Sequence, residues 1–349
     1  MARDGLDQNR PAETLAEEEG AKAPSKAAGR TVGLSAARRA MASILPFGKS
    51  AQSEPALLRA PLPGTPLYDA STASSVNLGD SLSLGSIGSL EVRLATDIND
   101  IRRAQRLRYD VFYREMSAKP SAMHRVLRRD YDRYDPVCDH LLVLDHDAPR
   151  DSTTGAPAIV GTYRLLTQDV ASENGGFYSA GEYQIDTLVN ARPDLTFLEL
   201  GRSCVLKPYR TKRTVELLWH GIWSYVVTRK IDVLFGCASL DGTDPNALAL
   251  PLSFLHHFAS ADADWSVRAL TERYEPMNRM DKGAIDQKEA LRSLPPLIKG
   301  YLRLGGMIGD GAVVDHQFGT TDVLILLPVE KISKRYISYY GADASRRAN

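Results

Sequence analysis

Long apolar runs are missing from this 349-residue chain. No stretch approaches the roughly 18 consecutive apolar residues of a membrane-crossing helix. The opening MARDGLDQNR mixes acids with bases and precedes no apolar segment, unlike a secretory signal. Excess charge of one sign is also missing. Lys plus Arg and Asp plus Glu number 43 each, so the basic surplus of a nucleic-acid binder is absent. Cysteine is scarce: Cys138, Cys204 and Cys237 form no CxxC pair and no even-numbered framework. That excludes a disulfide scaffold and a cysteine zinc site and points to a reducing compartment. The expectation is a cytoplasmic protein, either free or peripheral on the inner face of the membrane.

Familiar catalytic signatures are absent too. There is no GxSxG elbow, no HExxH and no GxxxxGK[ST] loop. His256 and His257 are neighbours on a helical stretch and point about 100° apart, a poor metal pair. His140 borders a strand and reads as structural, and Cys204 reads as a small strand residue. No metal site is expected.

Residues 1 to 88 read as a flexible extension rich in Ala, Ser, Gly and Pro, ending in SLSLGSIGSL. Between Ala21 and Ser53 it holds six bases (Lys22, Lys26, Arg30, Arg38, Arg39, Lys49) and no acid. SAARRAMASILPF within it has the makings of a basic amphipathic helix for an anionic bilayer. A solvated tail is the alternative reading.

From residue 89 to 349 the pattern is that of one α+β (α/β) domain, with strands and helices alternating through a mostly buried sheet. LEVRLA alternates as a strand. Asp97 is a good N-cap for a helix reaching about Glu115. A hairpin follows from His140–Leu144 and AIVGTYRLL. Further strands are expected from Thr196 to about Leu206 and in IDVLFGCASL, GAVVDHQF and TDVLILLP. Helices are expected over about Thr211–Arg229, over Asn246–Phe258 with Asp244 or Asn246 as cap, and from near Val329. The apolar stripe of the long helix is read as Val215, Leu218, Trp219, Ile222 and Val226.

Four features carry chemistry. Arg108 falls on the apolar stripe Ile101, Ala104, Val111, Phe112, where a guanidinium needs a partner or a polar cavity unless it snorkels past the edge. The acids Asp130, Asp132, Asp135 and Asp139 crowd one loop, either as a solvated cluster or as groups that bind a cationic amino acid and take its proton. Glu199 and Arg202 flank Gly201 on a strand. A glycine there marks a bulge that changes facing and exposes N–H groups to a thioester carbonyl. Lys207, Arg210, Lys212 and Arg213 ring the start of the long helix, where unpaired N–H groups favour an anion such as a phosphopantetheine phosphate.

LRYDVFYREM, YDRYDPVCDHLLVLD, GTYRLL and LELGRSCV, in that order, resemble the core of the acyl-homoserine-lactone synthases. They resemble more closely the related L-ornithine N-alpha-acyltransferases, which also share LPPLIKGYLRLGGMIGDGAVVDHQFGTTDVLILLP. The resemblance spans about residues 90 to 345 and leaves the long tail outside. It implies a GNAT-like acyltransferase fold: a twisted, mainly antiparallel sheet splayed at its centre and flanked by helices. It implies that Arg108, Phe112, Asp135, Asp139, Arg164, Glu199 and Arg202 face a substrate cleft, with Lys207 to Arg213 at the pyrophosphate-loop position. TKRT stands after Arg210 where coenzyme A users have a Gly-x-Gly/Ala pattern, which fits a carrier-protein donor. The implied reaction moves a 3-hydroxyacyl group from acyl carrier protein to the α-amine of L-ornithine, giving lyso-ornithine lipid. Glu199 would be the base, Gly201 the oxyanion site, and no cofactor would be bound permanently. The other readings are a lactone synthase using S-adenosylmethionine, an N-acyltransferase for another amino acid, and a non-catalytic module that binds carrier protein.

Overall fold

The computed structural model describes residues 83–116 and 118–332. The basic segment of the tail and most of the helix expected after Val329 lie outside these residues. Only a short 3-10 turn, Val329–Lys331, is described there.

Among the described residues, eight strands form one sheet in the order β1-β2-β3-β4-β5-β6-β8-β7. They are β1 (Ser83–Ile87), β2 (Leu90–Leu94), β3 (Asp139–Asp145), β4 (Ala158–Thr167), β5 (Phe197–Val205), β6 (Val233–Asp241), β7 (Met307–Asp315) and β8 (Thr320–Pro328). The fold therefore begins within the stretch assigned to the extension. The Ser/Leu/Gly run SLGSI pairs antiparallel with β2 as a strand, despite a composition that suggested flexibility. β3 and β4 form the expected hairpin.

The helix before the acidic loop and the long helix after β5 frame the functional region. α1 (Ile98–Tyr109) starts at Asp97, whose carboxylate accepts the N–H groups of Asn99 at 2.7 Å and Asp100 at 2.9 Å. The next residues, Asp110–Glu115, change pitch to a π-helix rather than extending the α-helix. The Met116 N–H reaches back five residues to the Val111 carbonyl at 2.9 Å. After α2 (Ala122–Leu127), α3 (Gln168–Glu173) and α4 (Ile185–Ala191) comes the long α5 (Lys212–Arg229), capped by Thr211. α6 (Ala249–Ala259) is preceded by Leu248, not by the expected Asp244 or Asn246. α7 (Gln287–Ser293) and α8 (Pro296–Leu304) complete the set.

α5 and α1 cover opposite faces of the sheet. Leu217, Leu218, Ile222, Tyr225 and Val226 of α5 pack with Val92, Leu141, Val143 and Leu165. Ala104, Leu107 and Val111 pack with Leu142, Leu144 and Ile159. These sets differ by one position along β3, as strand alternation requires. The buried face of α5 is thus turned from the stripe read in the sequence. Thr214 and Leu217 are buried, while Trp219 is half-buried against Tyr301, with ring centroids 5.2 Å apart.

The centre of the sheet is split. β5 and β6 are parallel and pair only over Phe197–Glu199 with Val233–Phe235. Beyond those rungs the strands part. At Gly236, just past the last rung, the Leu200 carbonyl approaches so closely that a methyl group would overlap it. The β4–β5 side carries a bulge: Arg164 faces Gly201 and Thr162 faces Cys204, so Arg202 and Ser203 share one opposing residue. The bulged residue with left-handed backbone is Arg202, at φ 50°, not the expected Gly201. A non-glycine residue held there is uncommon, and its side-chain contacts must hold it.

Gly236→Ala is expected to destabilise the fold by about 1–3 kcal/mol, the cost of overpacking against backbone. Urea denaturation measures this.

Candidate active site

A buried ion network occupies the mouth of the split. Arg108 is fully buried and answered from two sides. Its Nε donates to Asp130 at 2.8 Å, and its Nη2 donates to the Asp130 carbonyl at 2.7 Å and to Asp135 at 2.8 Å. Tyr113, on the π-helix, adds an O–H to Asp130 at 3.0 Å. Gln105 and the Asp132 N–H donate to Asp135. The acid loop is therefore folded around Arg108 and is not a solvated cluster. Arg164 of β4 donates to Asp132 at 2.7 Å, and Arg202 of β5 reaches the same carboxylate at 3.3 Å and Asp130 at 3.4 Å.

The electrostatics follow from this packing. Burial pushes the Asp130 carboxyl up, but Arg202 and Arg108 outweigh it and the net shift is downward. Asp132 is lowered too, burial being overcome by Arg164 and Arg202. Arg202 is raised: burial opposes its charge, and Tyr178, Asp130 and Asp132 more than restore it. Three guanidinium groups thus face three aspartate carboxylates. The Arg202 guanidinium lies 4.9 Å from the ring centres of both Tyr178 and Phe318. Phe112 of the π-helix packs edge-on to Phe318 at 5.6 Å and so backs the ring that lies on Arg202.

Asp139 is not part of this network. It opens β3 and accepts the Tyr225 hydroxyl at 2.6 Å, with Arg229 at 3.5 Å, on the side of α5. Neighbourhood in sequence misplaced it, because the strand carries it away from Asp135.

Glu199 is buried beside the last rung of the β5–β6 ladder. It accepts the Tyr178 and Ser179 N–H groups, each at 2.7 Å, and the Ser179 hydroxyl. Burial raises its carboxyl pKa, and the donors from Ser179 and Tyr178 offset part of the rise. It thereby ties the 3-10 turn Tyr178–Gly181 to the splayed strand. Sequence reading missed this turn, since Tyr178 and Ser179 sit in an irregular stretch without a motif.

Between the parted strands lies a narrow cleft. Gly201, Arg202, Ser203, Gly236, Cys237 and Tyr301 are among its walls. Cys237 also approaches the Ser179 hydroxyl at 3.5 Å. Burial raises the thiols of Cys237 and Cys204, so neither is a ready nucleophile. His140 is buried and donates Nε2–H to the Asp135 carbonyl at 2.9 Å, a structural role.

The basic loop is divided. Arg210 is tied to Glu115 at 2.8 Å and to the Val205 carbonyl at 3.0 Å. Lys212 pairs with Glu216 at 3.2 Å. Lys207 and Arg213 are exposed beside the start of α5.

Residues 107–220 match the acetyltransferase (GNAT) domain family. A Brucella abortus (strain 2308) protein named L-ornithine N(alpha)-acyltransferase is 56% identical over 278 residues, spanning 80% of this chain and 98% of its own. A Rhizobium meliloti (strain 1021) protein of the same name is 56% identical over 265 residues, spanning 75% and 88%. A solved N-acyl amino acid synthase from uncultured soil microbes aligns over 69% of this chain and 91% of its own. Its TM-score is 0.37 at 10% identity, too remote to bear on the site.

Arg108→Met leaves buried carboxylates without their counter-charge and is expected to cost about 3–5 kcal/mol in equilibrium denaturation. Asp130 and Asp132 bind protons less readily folded than unfolded. Their stabilisation is complete above about pH 4, the ordinary carboxylate range, and is lost as pH falls through the lowered folded values. Acid titration of the wild-type unfolding midpoint checks that sign.

Proposed function

Because this chain belongs to the L-ornithine N(alpha)-acyltransferase family, we propose that it transfers a 3-hydroxyacyl group from acyl carrier protein to the α-amine of L-ornithine, the first step toward ornithine lipid. The observation that carries this reading is the split between β5 and β6 beside a charged, buried wall. Beyond Glu199, the β6-facing backbone groups of β5 have no ladder partner in β6. A thioester laid along this edge meets fixed dipoles where its oxyanion develops.

The reaction needs no covalent enzyme intermediate. The neutral α-amine attacks the thioester carbon, a tetrahedral oxyanion forms, the C–S bond breaks, and the pantetheine thiol leaves with a proton. Glu199 is the proton acceptor, reached through the Ser179 hydroxyl that already donates to it. Arg202 orients the amino-acid carboxylate, and Arg108 and Arg164 act by holding the aspartates that hold Arg202. Most of the rate gain comes from this positioning. The backbone N–H groups at the N-terminus of α5 and exposed Lys207 and Arg213 supply an anion site for the phosphopantetheine arm and the acidic carrier. The product is an amphiphile, which agrees with work at a membrane surface. Among the described residues, no helix is long and apolar enough to cross a membrane.

The full chain, supplied with 3-hydroxyacyl carrier protein and L-ornithine, should release thiol and yield N-acylornithine by mass spectrometry. Thiol release with no acylated ornithine would refute the acceptor. Glu199→Gln should lower kcat by about 10²–10⁴-fold, the usual share of a general base. Only the deprotonated carboxylate accepts a proton, so wild-type activity should fall as pH drops through the raised Glu199 pKa. The glutamine variant should lack that acid limb.

A further inference from the structure

A second acidic group lies on the same face of the sheet and is unused by the steps above. Glu182, Asp315 and Asp322 bring carboxylate oxygens within 4.8 Å of one another. They come from the loop after the Tyr178–Gly181 turn, from the end of β7 and from the start of β8. Glu182 and Asp322 are 6% and 7% exposed. Glu182 Oε2 and Asp322 Oδ1 are buried and have no hydrogen-bond partner. So is the hydroxyl oxygen of Thr320, two residues before Asp322 and on its face of β8. Buried polar atoms are normally satisfied, and orphans converging on one point call for a missing donor.

The charge balance says what kind of donor. The network around Arg108 is balanced in charge, with Arg108, Arg164 and Arg202 against Asp130, Asp132 and Asp135. The second group has three carboxyls. Arg273, 3.3 Å from Glu182 Oε1 and 34% exposed, is the guanidinium that meets them among the described salt bridges. Burial, then the neighbouring Glu182, pushes Asp322 up to about 7, as crowded like charges must. A cation would relieve that crowding.

Position ties the group to the cleft. Asp315 accepts the Phe318 N–H at 2.9 Å, and the Phe318 ring lies 4.9 Å from the Arg202 guanidinium, while the Glu182 N–H donates to the Ser179 carbonyl at 2.9 Å. Cys237, a wall of the cleft, feels both Glu182 and Asp322. An amino acid whose carboxylate meets Arg202 would therefore have its side chain beside these acids.

We propose that Glu182, Asp315 and Asp322 form the subsite for the side-chain ammonium of a diamino-acid acceptor. This rests on the acyl transfer to ornithine proposed above and assigns the residues that select for the second amine. An ammonium offers three N–H donors, enough for the unpaired oxygens of both Glu182 and Asp322. A neutral side chain of the same length leaves them buried and unpaired, which is the stronger part of the discrimination.

The test compares kcat/KM for L-ornithine and L-norvaline, which has the same carbon chain without the terminal amine. Wild type, Asp322→Asn and the less buried Asp315→Asn are assayed, each checked for folding by thermal unfolding. The expected result is a fall in the ornithine-to-norvaline ratio of about 10- to 100-fold in the variants, the scale of a charged hydrogen bond. It should appear mainly in the KM for ornithine. An unchanged ratio in folded Asp315→Asn overturns the subsite while leaving ornithine acylation standing. A wild type that acylates neither amino acid refutes the reaction, and the subsite with it. Collapse of the wild-type ratio on EDTA treatment, reversed by a divalent cation, shows a metal site instead and also overturns the proposal.

Discussion

The burial of Arg108 is the constraint on which the site depends. A guanidinium with no exposed surface cannot be left unanswered, and its fork needs acceptors from fixed directions. The chain meets this need by folding the acid loop back onto α1, so that Asp130 and Asp135 close on it. Those same carboxylates, with Asp132, then fix Arg164 and Arg202 on two adjacent strands. One buried cation thus sets the loop, and the loop sets the bulge. Such networks add little net stability over apolar packing, yet removing one member is costly. Their value here is geometric, because four segments are held in one arrangement.

The bulge and the split are two halves of one device. A regular β5 would place Arg202 on the face opposite Glu199, since residues three apart alternate. The extra residue in the β4–β5 register restores both to the same region, with Arg202 in left-handed backbone. Tyr178, Phe318 and the aspartates keep it there. On the other edge, Gly236 permits Leu200 to pass close before the strands part. Backbone groups leave the ladder where a reacting carbonyl needs them.

Much of this was legible in the sequence, and the failures have causes. The strands announce themselves by alternation, the α1 start by Asp97, and Arg108 by its place on an apolar stripe. Gly201 suggested the bulge because a glycine inside a strand often marks one, and the bulge falls beside it, with Arg202 in left-handed backbone. SLSLGSIGSL resembled linker because its small residues hide an edge strand that pairing with β2 creates. Asp139 was grouped by proximity along the chain, and β3 turns it toward Tyr225. Glu182, Asp315 and Asp322 belong to no local pattern. Only the sheet brings them together, and no spacing rule spans such separations.

The three-rung contact between β5 and β6 has a mechanical consequence. On either side of it the strands are joined by long antiparallel ladders, so the sheet is two stiff plates meeting along a short seam. Widening the gap from its open end breaks no interstrand bonds, because none exist beyond Phe235. A bulky guest wedged there works against side-chain contacts such as Phe318 on Arg202 and Tyr163 on Tyr301 instead of against a ladder, which makes the aperture the softest dimension of the frame.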